Sequence, residues 1–557
     1  MDPRGWWVSG ALALLAAALR LPGLGRPHEF SFDETYYAKD ALSYLRFGYE
    51  RAFISNANGL LLKGQTNVFT SSAEFVVHPP LGKWAIAIGE AVFGMNPFGW
   101  RIVMAVFGIW AVVLVHRVML RLSGSVVTAA LAGLFMAIDG LAIVLSRTAL
   151  LDQTLMFFVL CTFWALLRDR DHYRHTLVLR QYGEAVPLPR RLRPWRWLAI
   201  LCITGAVASK WSGLWFAIAF AVMALWWDLR ARQEHEQGGG RAWLVDIGWV
   251  ALASIVGTGG YLLAWIGWFR STNAWDRAWH SGGIHWLPQS LRALIYYHQQ
   301  ALQFHTNLTS SHPYKAAPYW WPLMLRPTSF SYDTYALGQH GCAVASCSAE
   351  VLALGNVVLW WLASLAMIAF SCNGLIRLAR LRIGFDRSTR EFNPRRSSRV
   401  QWDIVGPSLV GIGAGWLPWI YWHQRTTFNF YSIVYAPFMF MLAAYALTLF
   451  ATRRPARATA HASSTIPEGT LLPLLAERTE YEGTSAGWES TLLVHAVTTV
   501  SPTPGPDHDE INRGRLAVAV IVVLAAIAFS AYFYPVWAGQ VIPYSAWDAR
   551  MWLDSWI

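Results

Sequence analysis

Long apolar stretches alternate along the chain with short polar, arginine-bearing ones. Their lengths are near the ~20 residues a helix needs to cross ~30 Å of hydrocarbon. Spans are predicted at residues 6–21, 98–120, 125–145, 151–167, 197–209, 212–228, 243–268, 351–376, 404–423, 430–450 and 516–535, about eleven in all. The first has no small-residue cleavage site ahead of a mature domain and reads as an uncleaved span. Two long connections, 23–97 and 269–350, interrupt the series. A third, 453–514, is rich in Ala, Thr, Ser, Pro and acidic residues and reads as a disordered insert. The pattern predicts an all-α polytopic membrane protein with a main region over 1–452, the insert, and a last span with its tail over 515–557. No internal repeat supports an inverted-repeat transporter.

Arginine placement sets the expected orientation, because short cytoplasmic loops hold an excess of cations. One cluster runs from Arg168 to Arg196 and a second from Arg380 to Arg399, and both fall on the same side of the predicted membrane. With that side cytoplasmic, the amino terminus and the insert are inside. The carboxyl terminus and both long loops are then extracytoplasmic.

Composition agrees with a membrane setting: 55% of the 557 residues are hydrophobic and only 14% charged, which excludes disordered and collagen-like classes. The net charge of +12 is distributed between spans and not gathered into one basic domain, so no nucleic-acid partner is expected. Of the five cysteines, Cys161, Cys202 and Cys372 lie in or at the end of apolar runs and read as small buried hydrophobes. Cys342 and Cys347 sit in the polar loop GCAVASC without further metal-ligand spacing, and a disulfide is expected there if the loop faces an oxidising compartment.

The first long loop opens with HEFSFDETYYAKDALSYL, in which Asp33 and Glu34 are adjacent carboxylates. The apolar spacing after them predicts an amphipathic helix lying on the membrane surface. Neighbouring side chains on a helix diverge by ~100°, so the two would divide labour instead of sharing one proton. The competing reading is that Asp33 caps the helix and Glu34 supports its first turn. The same loop ends in VVHPPLGKW, a proline-fixed turn that positions His78 and Lys83 either for a ligand or as interfacial anchors. Arg101, Arg147, Lys210, Arg270 and Arg425 all fall at the outer ends of spans. They either snorkel to headgroups or pair with a phosphate held in a low-dielectric site. Asp152, five residues after Arg147, is the expected structural partner of that arginine.

The motifs FDETYYAKDA, HPPLGKW, SRTALLDQTLMFF, ASKWSGLW, YWWPLMLRPTSF, GNVVLWW, RTTFNFYSIVYAPF and FYPVWAGQVIPYSAWDARMWL occur in this order from near residue 32 to the end. Together they resemble the protein O-mannosyltransferases, membrane glycosyltransferases of the GT-C class, and are most similar to the bacterial branch that takes mannose from a polyprenyl phosphate. The loop 269–350 is too short for the β-trefoil MIR domain of eukaryotic relatives, and the 453–514 insert departs from the family pattern. The resemblance implies that Asp33 is the catalytic acid-base position and Glu34 its essential neighbour. It implies that Arg101 holds the donor phosphate, with Arg147, Lys210 and Arg425 as further phosphate candidates and His78 and Lys83 near the site.

The chemistry fits that inventory. A glycosyl phosphate carries its own leaving group, so one carboxylate base and several cations suffice. A single displacement by a Ser or Thr oxygen would invert the anomeric centre, since adjacent Asp33 and Glu34 do not straddle the sugar as a retaining pair must. No required cofactor or metal is expected. The expected partners are the lipid-linked donor polyprenyl-phosphate mannose and secreted or translocating acceptor proteins, with the secretion machinery as a further candidate. Two alternatives stand: a GT-C transferase that modifies a lipid or cell-wall glycan, and a lipid flippase or transporter. The latter predicts polar or broken helices near the bilayer midplane, whereas these spans read as mostly uninterrupted apolar runs.

Overall fold

The structure, a computed structural model, describes residues 4–181, 193–235, 242–383, 400–453 and 510–557. The expected insert, apart from its ends, and most of the Arg380–Arg399 cluster lie outside the described residues. Each of the eleven apolar stretches carries helix: α1 (Arg4–Arg20), α5 (Pro97–Ser123), the pair α6 (Val126–Ile138) and α7 (Gly140–Ser146), α8 (Leu151–Gln181), α9 (Pro194–Ser209), α10 (Gly213–Glu234), α11 (Ala242–Ala264), α14 (Val357–Ile383), α15 (Trp402–Tyr421), α16 (Ala436–Ala451) and α17 (Arg513–Trp537). Seven are long and apolar enough to cross a membrane, or eight if the bent α6–α7 pair is one span. The expected count of eleven therefore stands above what helix length alone supports: α1, α9 and α16 have only 17, 16 and 16 residues.

Local sequence explains the long helices. Asn96 accepts the Gly99 N–H at 3.0 Å as the N-cap of α5, Pro97 opens its first turn, and Gly124 ends it with a left-handed φ of 65°. The stretch 125–145, expected to be continuous, breaks at Asp139 with a bend of 59°. A helix break in hydrocarbon leaves backbone groups that must be satisfied by protein. Buried Arg20 donates to the carbonyls of Met136 at 3.1 Å and Ala137 at 3.0 Å, while Asp139 accepts the N–H of Ala142 at 2.9 Å. The broken span is thus closed internally by charged side chains.

The reading of 351–376 as one span is corrected at its start, where Ser346–Ala353 is a strand, β4, paired antiparallel with β3 (Thr328–Ala336). A short strand, β7 (Ile542–Pro543), extends the sheet on the other side of β4. Runs such as EVLAL are apolar enough to pass for helix but are buried strand here. Cys342 and Cys347 are joined by a disulfide at the tip of the β3–β4 hairpin, with Cα atoms 5.8 Å apart.

The first long loop is packed protein. It holds α2 (Glu34–Phe47), the hairpin of β1 (Arg51–Phe53) and β2 (Phe69–Ala73) with α3 (Ala57–Leu62) between them, and α4 (Leu81–Phe93). The expected surface helix is instead inserted: every residue from Ala38 to Tyr44 is buried, while Tyr36 and Leu45 stay exposed. Ala38 and Ala41 meet Ala85, Ile86 and Ala87 of α4 and Trp100 and Met104 of α5. Small side chains permit this approach; a Cβ on Gly89 would lie 2.2 Å from the Gly99 carbonyl oxygen.

The second long loop contributes α12 (Ile266–Arg270) and α13 (Gln289–Asn307). At the far ends of three spans, Arg193 and Arg196 fork onto Asp169 of α8 and Asp228 of α10 at 2.6–2.8 Å, all four side chains buried. In the separate unit Leu447–Val522, β5 (Thr452–Arg453) pairs antiparallel with β6 (Glu510–Ile511), so the two ends of the insert leave from adjacent backbone positions.

Candidate active site

Backbone packing presents Asp33. The preceding residue, Phe32, has φ 50°, a left-handed conformation that bulky L-residues avoid. Its N–H donates to the Phe330 carbonyl of β3 at 3.0 Å, and its ring stacks on Phe330 with centroids 5.1 Å apart. Phe428 and Phe430 meet the same ring edge-on at 5.6 Å. These contacts hold a torsion that the residue alone would leave.

Asp33 itself stands at the N-cap position of α2 with helical torsions, φ −70° and ψ −3°, and its side chain accepts no capping bond. The capping alternative therefore has no bond to rest on. The Tyr37 hydroxyl lies 3.5 Å from Asp33 Oδ2, at the outer limit of hydrogen bonding. Burial raises the carboxyl pKa to about 6; Lys210 pulls it down and Asp152 pushes it up. An available carboxylate titrating near neutrality has the character of a general base.

Glu34, by contrast, is fully engaged. Its Oε1 accepts from Arg101 Nε and the Ala149 N–H, both at 2.8 Å, and its Oε2 from Arg101 Nη2 at 2.7 Å and the Ser31 N–H at 2.9 Å. Arg101 gives its other donors to the carbonyls of Leu24, Pro27 and Glu29 at 2.9–3.3 Å. Both side chains have 0% exposure. The guanidinium expected to hold the donor phosphate is enclosed by its own chain and fixes the loop that carries Asp33.

Two more expected site cations are bonded within the chain. Arg147 donates to the carbonyls of Arg20, Pro22 and Gly23 at 2.7–2.9 Å, closing the end of α1. Lys83, 1% exposed, pairs with Glu50 at 2.5 Å and Asp40 at 3.8 Å beneath α2. Asp152 is also corrected, because it pairs with Lys210 and not with Arg147.

Lys210 and Arg425 do converge with Asp33. Lys210 Nζ lies 2.9 Å from each Asp152 oxygen and 4.2 Å above the Tyr431 ring. Arg425 places Nη2 3.2 Å from His305 Nδ1 and leaves its buried Nε unpaired. The His78 ring lies tilted against His305 at 5.2 Å and Tyr37 at 6.2 Å, with its Nδ1 buried and unpaired. Burial, with the positive charges of Lys210, Lys83 and Arg425 around it, holds the His78 pKa well below the ordinary value, so the ring is neutral. A small pocket beside this polar centre is lined by Asp152, Tyr431, Leu155, Trp215, Phe216 and Trp419. Among the described residues no three His, Cys, Asp or Glu side chains converge as metal ligands.

Sequence reasoning missed Tyr37, His305 and Tyr431, and misassigned Asp152. A signal existed for Tyr37, four residues after Asp33 on the same helix face. His305 and Tyr431 come from segments whose approach to Asp33 only the tertiary fold reveals.

Residues 10–256 match the family described as dolichyl-phosphate-mannose-protein mannosyltransferase, and residues 290–556 match the C-terminal four TMM region of protein-O-mannosyltransferase. A polyprenol-phosphate-mannose–protein mannosyltransferase of Mycobacterium tuberculosis is 32% identical over 577 residues, covering 99% of this chain and 92% of that protein. The protein of that name from Mycolicibacterium smegmatis is 30% identical over 573 residues, covering 99% and 93%. Among solved structures, the Saccharomyces cerevisiae protein O-mannosyltransferase Pmt1-Pmt2 complex bound to the sugar donor shares the fold, with a TM-score of 0.66 at 14% identity over 100% of this chain and 93% of that one. The chain belongs to the protein O-mannosyltransferase family.

Proposed function

We propose that this enzyme transfers mannose from polyprenyl-phosphate mannose to Ser or Thr hydroxyls of exported proteins, at the outer face of the membrane and with inversion at the anomeric carbon. The observation that carries this reading is the gathering of Asp33, a carboxylate with no ion-pair partner among the described residues, with Lys210 and Arg425 around Tyr431. The acceptor oxygen attacks the sugar C1 from the side opposite the phosphate, Asp33 takes its proton, and the C1–O bond to the phosphate breaks. The electron pair leaves with polyprenyl phosphate, whose charge Lys210 and Arg425 stabilise. Glu34 serves through Arg101 by holding the Asp33 loop, and neutral His78 offers a hydrogen bond to the sugar or phosphate. The cytoplasmic amino terminus and extracytoplasmic carboxyl terminus follow from the arginine clusters. Secreted or translocating chains are then the acceptors.

The test is incubation of the purified chain with radiolabelled polyprenyl-phosphate mannose and a Ser/Thr/Pro-rich peptide. Label on the peptide, removable by an α-mannosidase and not by a β-mannosidase, is the expected result. Label on lipid or glycan alone would overturn the protein acceptor, and, with a donor whose mannosyl phosphate is β-linked, β-linked product would overturn inversion.

A further inference from the structure

Arg425 does not stand alone; it hangs on a histidine of α13. The inner face of this helix carries Leu294, Tyr297, Ala301 and His305, spaced by three or four residues. The Tyr297 hydroxyl bonds both the N–H of Val76, at 3.1 Å, and its carbonyl, at 2.7 Å, so the backbone just ahead of His78 is pinned to the helix. One residue further, the Val77 carbonyl lies 3.0 Å from His305 Nε2, while His305 Nδ1 faces Arg425 Nη2 at 3.2 Å.

These two contacts determine where the imidazole proton sits. A carbonyl only accepts and a guanidinium only donates, so Nε2 carries the hydrogen and Nδ1 is bare. The ring is neutral and in one tautomer. The groups around it favour that state: Arg425 from the segment after α15, Lys210 from the segment after α9, and the His78 and Trp211 rings at 5.2 and 5.8 Å. Burial first, then the charge of Arg425, lowers the His305 pKa to about 4. A protonated ring would present an N–H to the guanidinium and break the contact.

We propose that His305 is a positioning residue for the donor: its bare Nδ1, backed by the Val77 carbonyl, orients the Arg425 guanidinium and leaves Arg425 Nε unpaired for the anionic group of the lipid-linked sugar. The inference rests on the reading of Arg425 as a phosphate ligand given above. It assigns His305 no contact with the reacting atoms.

The experiment compares three variants of the full chain by the KM for polyprenyl-phosphate mannose and by kcat, at saturating peptide. His305→Ala should raise the donor KM by about 10-fold, the scale of a lost hydrogen bond to a charged group, with kcat falling far less. His305→Asn keeps an acceptor near the Nδ1 position and should recover most of that loss. His305→Gln extends an amide N–H toward Val77 but gives Arg425 no acceptor, and should behave as Ala does. In an Arg425→Ala background the effect of His305→Ala on KM should disappear. Rescue by Gln and not by Asn, an unchanged KM in His305→Ala, or an undiminished effect without Arg425 would each overturn the proposal and leave His305 as a brace for Val77. Absence of mannosyl transfer by the wild-type chain would instead overturn the functional reading itself.

Discussion

Glu34 and Arg101 form a closed pair, joined by two charge-assisted bonds of 2.8 and 2.7 Å with neither side chain reaching solvent. Removing one member of such a pair leaves the other charged and buried. Arg101→Ala is therefore expected to lose about 3–5 kcal/mol of stability. Thermal unfolding in detergent should register the loss, and Glu34→Gln with Arg101→Ala together should destabilise less than the two single changes summed. An Arg101→Ala protein that melts normally yet no longer binds donor would return Arg101 to the phosphate.

Asp33→Asn removes the proton acceptor while keeping shape, and transfer is expected to fall by roughly 10²–10⁴-fold with donor affinity retained. The pH dependence has a definite sign. A base must be deprotonated, so kcat should decline as pH drops through about 6, the pKa to which burial raises Asp33. Stability runs the other way: a raised carboxyl pKa favours the neutral form in the fold, so the stabilising contribution is present at low pH and lost as pH rises through about 6. At neutral pH, Asp33→Asn should consequently melt no lower than wild type. A marked drop in melting temperature would point to a structural carboxylate.

The four-charge fork at the far ends of α8, α9 and α10 makes a separable prediction. Asp228 lies fifteen residues along α10 from Gly213, about 22 Å of helix away from the Lys210 end. Asp228→Asn should destabilise by about 3–5 kcal/mol by leaving Arg193 and Arg196 undercompensated, while donor KM of the folded fraction stays at the wild-type value. A changed KM with unchanged stability would show that this end communicates with the site.

Deletion of residues 458–510 addresses the insert. Because Arg453 and Glu510 are paired in register, a two-residue Asn-Gly turn can join the flanking chain after residues 456–507 are removed instead. Either protein should keep mannosyl transfer within a few-fold of wild type, measured with peptide acceptor. Loss of activity in a folded, membrane-inserted protein would give the insert a role in catalysis.

What the sequence made legible divides along physical lines. Each of the eleven predicted apolar stretches carries helix, because hydrocarbon leaves a backbone few other options. Apolar periodicity failed where hydrophobicity served protein packing: α2 reads as a surface helix yet is buried from Ala38 to Tyr44, and Val351–Ala353 reads as span yet is strand. Asp33, the proposed base, was legible in FDE because it needs no partner to be recognised as available. The cations were not separable by sequence. Arg101, Arg147, Lys210 and Arg425 occupy similar span ends, and only their bonding tells the two enclosed arginines from the two cations that lie with Asp33 around Tyr431. His305 had no motif to announce it, since its role depends on Val77 and Arg425, which lie far from it in the chain.

The left-handed torsion at Phe32 has a consequence for how this enzyme could be retuned. The proposed base, Asp33, follows a residue held by rings from two distant segments, β3 and the Phe428–Phe430 run each supplying a wall. Trimming Phe330 to Leu leaves every charged group in place, yet it frees the peptide before Asp33 to relax toward ordinary torsions and swing the carboxylate. Catalytic alignment here is thus a property of aromatic volume, and variation in these phenylalanines is a route to altered turnover that spares the donor site.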